Sequence, residues 1–467
     1  MKRIAIVGGG IAGVAAAYEI AKLRRAGAAV EAVLFEASLR LGGIVETVRE
    51  AGFTIEGGPD GWVTEKPWAR ELAEELGLGD ELVPSNDATR KTYVMVDSKL
   101  VAMPDGMRLM VPADLEALDR SELFSDAAKA AYRGEMARAE ELRAAAPEAD
   151  ESVADFVRRH FGDEVLEKVG APLLSGVFGG DVTKLSVRAV MAPFVGMERE
   201  HGSLIKGLNA LHAGRRGVGS KTNSLFTTLR SGLGTLIDAM VAAIPKEWIR
   251  LYRPVAEVRR CAAGWEVQSG SGWESFDALM LAVPVDVAAR LLRETDERAG
   301  ELMRIEGSSA VVVGFGFTEG FALPQGFGFL VPPRAGVGAG SSLLAGTFMD
   351  QKFAHRAPEG GRLLRGFYGG ATADRLLGRS DAEIAALARK ELEAVLGIAL
   401  PEAVVTVVRR WPRALPQYAV GHLERMAELD GRVREVGRLW LLGNGYRGVG
   451  LPDLVRDARA AVSEAVR

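Results

Sequence analysis

MKRIAIVGGGIAGVAAAYEIAK, residues 1–22, is the stretch that decides the fold. Ile4–Val7 is a short apolar run of the kind that forms a buried parallel strand. Gly8, Gly10 and Gly13 follow at the spacing G-x-G-x-x-G, with Gly9, Ile11 and Ala12 between them. Ile11–Ala21 then reads as an alanine-rich helix. In such a strand–loop–helix the first glycine allows a tight turn and the second lets a pyrophosphate approach the backbone. The third lets the helix pack close to the strand. The helix start presents free N–H groups and the positive end of the helix dipole. Val33–Phe35 reads as the second strand, and Glu36 ends it where a carboxylate accepts both hydroxyls of an adenosine ribose. The unit is therefore expected to bind a dinucleotide. Lys2 and Arg3 before an apolar stretch also suit a signal peptide, but three consecutive glycines and Glu19 break the apolar core that a signal needs.

At 467 residues the chain is too long for one simple core, and two or three domains are expected. A hydrophobic content of 48% with 26% charged residues describes an ordinary globular protein. The net charge of −4 gives no support to nucleic-acid binding. The single cysteine, Cys261, excludes an internal disulfide framework and a cysteine-rich metal centre. His160, His201, His212, His355 and His422 are scattered without metal-ligand spacing, so no metal is expected. No apolar run reaches transmembrane length. The expected location is the cytoplasm, with membrane contact at most peripheral.

Further along, Arg40-Leu41-Gly42-Gly43-Ile44 follows the ribose acid directly, and Gly57-Gly58-Pro59-Asp60-Gly61 comes after a short strand at Phe53–Ile55. Each is either a cofactor loop or a plain turn. Thr92–Met103 alternates like a hairpin that turns at Asp97-Ser98. Residues 105–224 read as an inserted helical subdomain. Within it Met107–Pro112 is apolar, as core or as a surface patch, and Lys206–Asn223 is expected to be a mobile loop. Short strands follow between Ile249 and Phe276, then a very apolar strand at Asp277–Val283 that suits the interior of the first sheet. Val311–Phe317, Phe327–Val331, Leu343–Phe348 and Leu363–Tyr368 form a second sheet. Asp381–Leu396 is an amphipathic helix. Leu439–Leu442, a glycine turn at Gly443–Gly450 and a final helix from Leu451 repeat the strand–glycine–helix order of the N-terminus.

The assembled pattern resembles the flavin amine oxidase superfamily, which joins the N-terminal motif to R-x-G-G, here Arg40–Gly43, and to a C-terminal strand–glycine–helix. It is most similar to the protoporphyrinogen oxidase family of haem biosynthesis. The residues that carry this are Gly58-Pro59-Asp60, Pro172-Leu173-Leu174-Ser175-Gly176 with Gly180-Asp181, and Lys184-Leu185-Ser186. Gly326–Pro332, Pro416-Gln417-Tyr418 with Gly421-His422, and Gly448–Asp453 complete the set. They span nearly the whole chain in order. Lys91–Val94 before Met103-Pro104, and His355–Gly360, resemble the soluble branch that acts on coproporphyrinogen III. The pattern also departs from the family. Thr92 stands where mitochondrial-type enzymes carry an arginine, H-R-S-L reads His201-Gly202-Ser203-Leu204, and the usual Asp-Cys is Asp453-Leu454.

The resemblance implies an α/β chain, α+β overall. Its Rossmann-like FAD-binding domain comprises residues 1–85, 225–285 and 405–467, with a substrate-binding sheet domain at 86–104 and 286–404 and the helical subdomain at 105–224. It implies non-covalent FAD and removal of six hydrogens from a porphyrinogen in three two-electron steps. Oxygen is the implied acceptor, and hand-over to other enzymes of haem synthesis an implied contact. Coproporphyrinogen III is favoured and protoporphyrinogen IX is the close second. A hydride leaves a bridging methylene for the flavin and a pyrrole proton follows, so no residue is assigned as a catalytic base. Gly8–Gly13, Glu36, Ala37, Arg40, Gly42, Gly43 and Ile44 are expected to hold the adenosine and pyrophosphate side. Gly58, Pro59, Asp60 and Gly61 are expected near the flavin, and Val255 against adenine. Asn444, Val449, Gly450 and Leu451 are expected near the ribityl chain or flavin ring. Trp411 is either over the flavin or plain core. For the substrate, Phe327, Gly328 and Leu330 match the family's pocket wall, or form an ordinary core strand. Arg90, Lys91 and Lys206 are either propionate anchors or solvated charges. The alternatives are an amine oxidase, a carotenoid desaturase or a non-enzymatic escort relative; intact glycines and Glu36 argue against the last.

Overall fold

In the computed structural model, which describes residues 1–215, 224–332 and 342–467, the opening stretch forms strand β1 (Lys2–Val7) and helix α1 (Ile11–Arg25). Ile4, Ala5 and Ile6 are fully buried, as a strand covered on both faces requires. Strand β2 (Val30–Phe35) and the strand Ala278–Leu281 flank β1 in parallel, and Ile249–Arg250 and Leu439–Leu441 form the two edges. The apolar segment near 280 thus returns to the first sheet. The register brings Val7, Phe35, Leu281 and Leu441 to the same carboxyl edge. One face of the sheet packs on α1 and the final helix Leu451–Val466. The other packs on helices Val285–Leu292, Glu297–Leu302 and His422–Val436.

The second sheet has seven strands and is mostly antiparallel. Gly307–Phe317 lies between Val405–Pro416 and Arg362–Gly369; Ala345–Phe348, Gly328–Leu330 and the hairpin Thr92–Val96/Lys99–Ala102 follow. Asp97 and Ser98 both have positive φ, +45° and +63°, which matches a two-residue hairpin turn. The helix Asp381–Leu396 starts with a capping box between Ser380 and Glu383.

Several boundaries differ from the sequence reading. Residues 405–416 pair along Gly307–Phe317, so the last nucleotide-domain segment begins after Pro416. Residues 285–302 pack against Ala5, Val7 and Leu441 on the nucleotide sheet, because Leu291, Leu292 and Leu302 bury there. The stretch 206–215 is helical: Ser203 caps the Lys206 N–H at 3.0 Å, while Leu204, Ile205 and Leu208 bury in the helical core. The rest of that expected loop, 216–223, lies outside the described residues. Met110 and Val111 are fully buried, so Met107–Pro112 contributes to the core. Among the described residues no helix is long and apolar enough to cross a membrane.

The closest approach in the nucleotide unit is between α1 and the end of β1. A Cβ on Gly13 would lie 1.9 Å from the Gly8 carbonyl oxygen, far inside contact distance. Gly13→Ala is therefore expected to cost on the order of 3 kcal/mol or more, lowering the thermal midpoint even of flavin-free protein. An unchanged midpoint would show that α1 can retreat from the strand.

Candidate functional site

The four aligned strands end on one edge, and the residues just beyond them open onto a cavity of about 1160 Å³. Gly8, Gly9, Gly10, Ile11 and Ala12 line it from β1 and α1. Glu36 and Ala37 line it after β2, Val283–Val287 after the strand Ala278–Leu281, and Gly443 and Asn444 after the last strand. Gly42, Gly43 and Ile44 close over the loop, and Val255 borders the same space.

The local geometry follows from the glycines. Gly8 has φ +107°, and a Cβ there would lie 2.3 Å from the Ala282 carbonyl oxygen. Gly42 N–H donates to the Gly9 carbonyl at 2.8 Å, tying the Arg40–Gly43 turn to the first loop. Arg40 secures that turn from outside the cavity: its guanidinium donates to the Leu41, Gly43 and Val45 carbonyls and lies 3.7 Å from Glu46. Gly10 differs from its neighbours. It has an ordinary φ of −68°, and a Cβ there would meet nothing within 4 Å. The protein itself does not require glycine at this position. The first turn of α1 has neither a side-chain cap nor an acidic residue, so its N–H groups face the cavity uncompensated. Glu36 accepts from the Gly9 and Ser38 N–H groups, each at 2.7 Å, and its carboxylate oxygens retain lone pairs for ribose hydroxyls. An anion at the helix start and a diol at Glu36 are what the pyrophosphate and the adenosine ribose of FAD supply, so the residues present fit the ADP part of that cofactor.

Other expected cofactor residues stand behind the cavity wall. A Cβ on Gly58 would lie 2.1 Å from the carbonyl oxygen of cavity-lining Ile44, and one on Gly61 would lie 2.6 Å from the Thr227 carbonyl. Asp60, next to Pro59, points into a buried ionic cluster, 3.0 Å from Lys352 and 3.5 Å from Arg365. Burial alone would raise its pKa, but those cations hold it below the usual carboxylate range. Trp411 donates from Nε1 to the Gly57 carbonyl at 2.7 Å and does not border the cavity. Gly450 caps the final helix, Leu451 packs in the nucleotide core, and Val449 packs against the helical core.

The expected substrate residues are not gathered at this cavity. Phe327 is buried, with its N–H on the Lys91 carbonyl at 2.8 Å. Gly328 has φ +148°, and a Cβ there would lie 2.1 Å from the Gly346 carbonyl oxygen; the close approach it permits is that of the neighbouring strand. Leu330 packs in the helical core. Arg90 pairs with Asp87 at 3.2 Å, and Lys91 and Lys206 are exposed side chains away from the cavity lining. The basic residues that do line the cavity are Lys184, Arg253, Arg290 and Arg413. Lys184 stands 3.8 Å from Glu306 and Arg413 stands 2.6 Å from Asp286, while Arg253 and Arg290 have no carboxylate partner among the described residues. Lys184 belongs to a quoted family stretch. The three arginines carry no local signal, because a lone cation looks the same in sequence at a cavity rim or on an open surface.

The open space at Gly10 separates folding from cofactor binding. Gly10→Val is expected to weaken FAD binding at least about a hundredfold, equivalent to about 2.8 kcal/mol, while the thermal midpoint of the flavin-free protein stays close to wild type. Titration of apoprotein with FAD, followed by flavin fluorescence, reads the first quantity. Normal FAD occupancy in the variant would show that the pyrophosphate lies elsewhere.

Residues 11–465 match the family model described as flavin containing amine oxidoreductase. The chain is 32% identical over 472 residues to the coproporphyrinogen III oxidase of Bacillus subtilis strain 168, covering all of this chain and 98% of that protein. It is 31% identical to the coproporphyrinogen III oxidase of Propionibacterium freudenreichii subsp. freudenreichii, covering 99% and 90%. A solved structure from Exiguobacterium sp. 255-15, named as a candidate protoporphyrinogen oxidase, superposes with a TM-score of 0.86 at 32% identity over 100% of this chain and 98% of the other. The chain belongs to the flavin-containing amine oxidoreductase family, and its cofactor is FAD.

Proposed function

We propose that this chain oxidises a porphyrinogen to the aromatic porphyrin in haem synthesis, with coproporphyrinogen III as the preferred substrate, protoporphyrinogen IX as the second, and oxygen as the acceptor. The observation that carries the reading is similarity along the whole chain, at 32% identity, to a protein named for coproporphyrinogen III oxidation. The Exiguobacterium neighbour named for protoporphyrinogen supports the second substrate.

The chain's own part is positioning. The N–H groups at the start of α1 and the turn from Gly8 to Gly10 hold the pyrophosphate, and Glu36 holds the adenosine ribose. FAD, when bound, supplies a two-electron acceptor for each dehydrogenation. Gly42–Ile44 form the cavity wall beside that loop, held there by the Gly42 N–H on the Gly9 carbonyl. Substrate carboxylates call for cations, and Arg253 and Arg290 are the cavity cations with no carboxylate partner among the described residues. Four propionates on coproporphyrinogen III make a larger demand for such groups than the two on protoporphyrinogen IX. No side chain is assigned as a base; orientation at a near-attack distance is the contribution sought from the protein. Hand-over of product to other enzymes of the pathway belongs to this proposal, with membrane contact at most peripheral.

Turnover of the two porphyrinogens, followed as growth of porphyrin fluorescence in air, tests the substrate assignment. A higher kcat/KM for coproporphyrinogen III is expected. A clear preference for protoporphyrinogen IX would overturn the assignment, and no turnover of either would overturn the activity.

A further inference from the structure

The segment Pro416–His422 was notable in the sequence, and the structure shows what it touches. Gln417 and Tyr418 are consecutive residues that touch two different segments of the cavity lining. At the first, Gln417 donates from Nε2 to the Phe178 carbonyl at 2.7 Å, and a Cβ on Gly180 would lie 1.8 Å from its Oε1. The amide therefore lies directly against the backbone of Gly179–Gly180, which lines the cavity from the helical subdomain. The Tyr418 carbonyl and the Val420 N–H extend the same docking, the first accepting from the Ser186 N–H at 2.7 Å and the second donating to the Lys184 carbonyl at 2.9 Å.

At the second, the Tyr418 hydroxyl donates to the Asn444 carbonyl at 2.5 Å and accepts from the Gly448 N–H at 3.0 Å. One hydroxyl thus joins both ends of the Asn444–Gly448 turn. The middle of the turn is held by His422, whose Nε2–H donates to the Tyr446 carbonyl at 3.0 Å. Burial lowers the pKa of that imidazole and raises that of the Tyr418 phenol, which favours the neutral form of each. The two rings stack at 3.9 Å and 12°. Gly443 and Asn444, at the start of this turn, line the cavity, and the Asn444 amide donates onward to the Ala414 carbonyl at 2.8 Å.

We propose that Gln417, Tyr418 and His422 are positioning residues that fix two segments of the FAD cavity lining, Gly179–Gly180 and the turn from Asn444, relative to each other, with Tyr418 setting the Asn444–Gly448 turn. None of them is assigned a part in the chemistry. The proposal rests on the reading that the cavity holds FAD. Removing the Tyr418 hydroxyl leaves the Asn444 C=O and the Gly448 N–H without their buried partner, so the turn is free to shift away from the cofactor. The structural control is Tyr132, a fully buried tyrosine of the helical subdomain whose hydroxyl donates to the Met110 carbonyl at 2.8 Å, remote from the cavity lining.

The test compares Tyr418→Phe with Tyr132→Phe as purified holoproteins, following FAD release on dilution by flavin fluorescence and the shape of the visible flavin band. Tyr418→Phe is expected to release FAD about ten times faster and to change the band shape. Tyr132→Phe is expected to lower the thermal midpoint while leaving release and band shape as in wild type. His422→Gln, which keeps an amide donor for the Tyr446 carbonyl, is expected to retain FAD better than His422→Leu. Release from Tyr418→Phe within twofold of wild type, or equal acceleration by Tyr132→Phe, would overturn the proposal. Wild-type protein without flavin would instead overturn the reading of the cavity.

Discussion

Helix α1 begins with nothing of its own to satisfy its first N–H groups. No side chain caps it and no acidic residue sits in its first turn. Unpaired groups of this kind are costly away from water unless a ligand or solvent takes them. The contact between Gly13 and the Gly8 carbonyl fixes where the helix end points, because any Cβ would force the helix off the strand. The direction of that helix end then dictates what else has to be near. Glu36 arrives through the register of β2 with β1, and the Gly42–Ile44 turn arrives through its bond to Gly9. Asn444 arrives through the last parallel strand. Each reaches the same edge by backbone pairing, not by side-chain chemistry.

A second constraint joins the hairpin Thr47–Glu50/Phe53–Glu56 and the turn after it to the second sheet. Glu56 and Arg356 are fully buried and 2.9 Å apart. Asp60 faces Lys352 and Arg365, and Arg365 also donates to the Gly58 carbonyl. These charges link the turn at Gly57–Gly61 to the strand Arg362–Gly369 and to the segment before it. Desolvation offsets much of their mutual attraction, so the cluster is weak evidence for net stability. Losing one partner, by contrast, leaves a buried charge unmatched at a cost of about 3–5 kcal/mol. Its effect is to fix the turn at Gly57–Gly61 on the second sheet, and with it the wall behind Ile44.

Local signals were legible in the sequence. The glycine spacing, the acid at Glu36 and the Asp97-Ser98 turn each depend on a short stretch of chain, and each stands where it was read. The cavity collected Gly8–Ala12, Glu36, Ala37, Gly42–Ile44, Val255 and Asn444 from that reading. Features that depend on distant partners were not legible. Residues 405–416 and 285–302 carry the same strand and helix patterns whichever sheet they join. Gly328 reads as room for a ligand until the neighbouring strand is seen to occupy it. Arg253, Arg290 and Arg413 border one cavity only because a loop, a helix and a strand far apart in the chain converge there. Lys206 looked like a loop residue since the cap from Ser203 and the buried neighbours on its helix lie outside the glycine-rich composition that suggested mobility.

The central claim is that the cavity at the carboxyl edge of the parallel sheet brings FAD and a porphyrinogen together for electron transfer. Anaerobic titration of the purified holoprotein with coproporphyrinogen III tests it most directly, with flavin and porphyrin absorbance read together. The account predicts bleaching of the flavin band as porphyrin appears, at one porphyrin formed for three flavins reduced, and recovery of the band when air is admitted. A flavin band that stays unchanged while excess coproporphyrinogen III is present would contradict it.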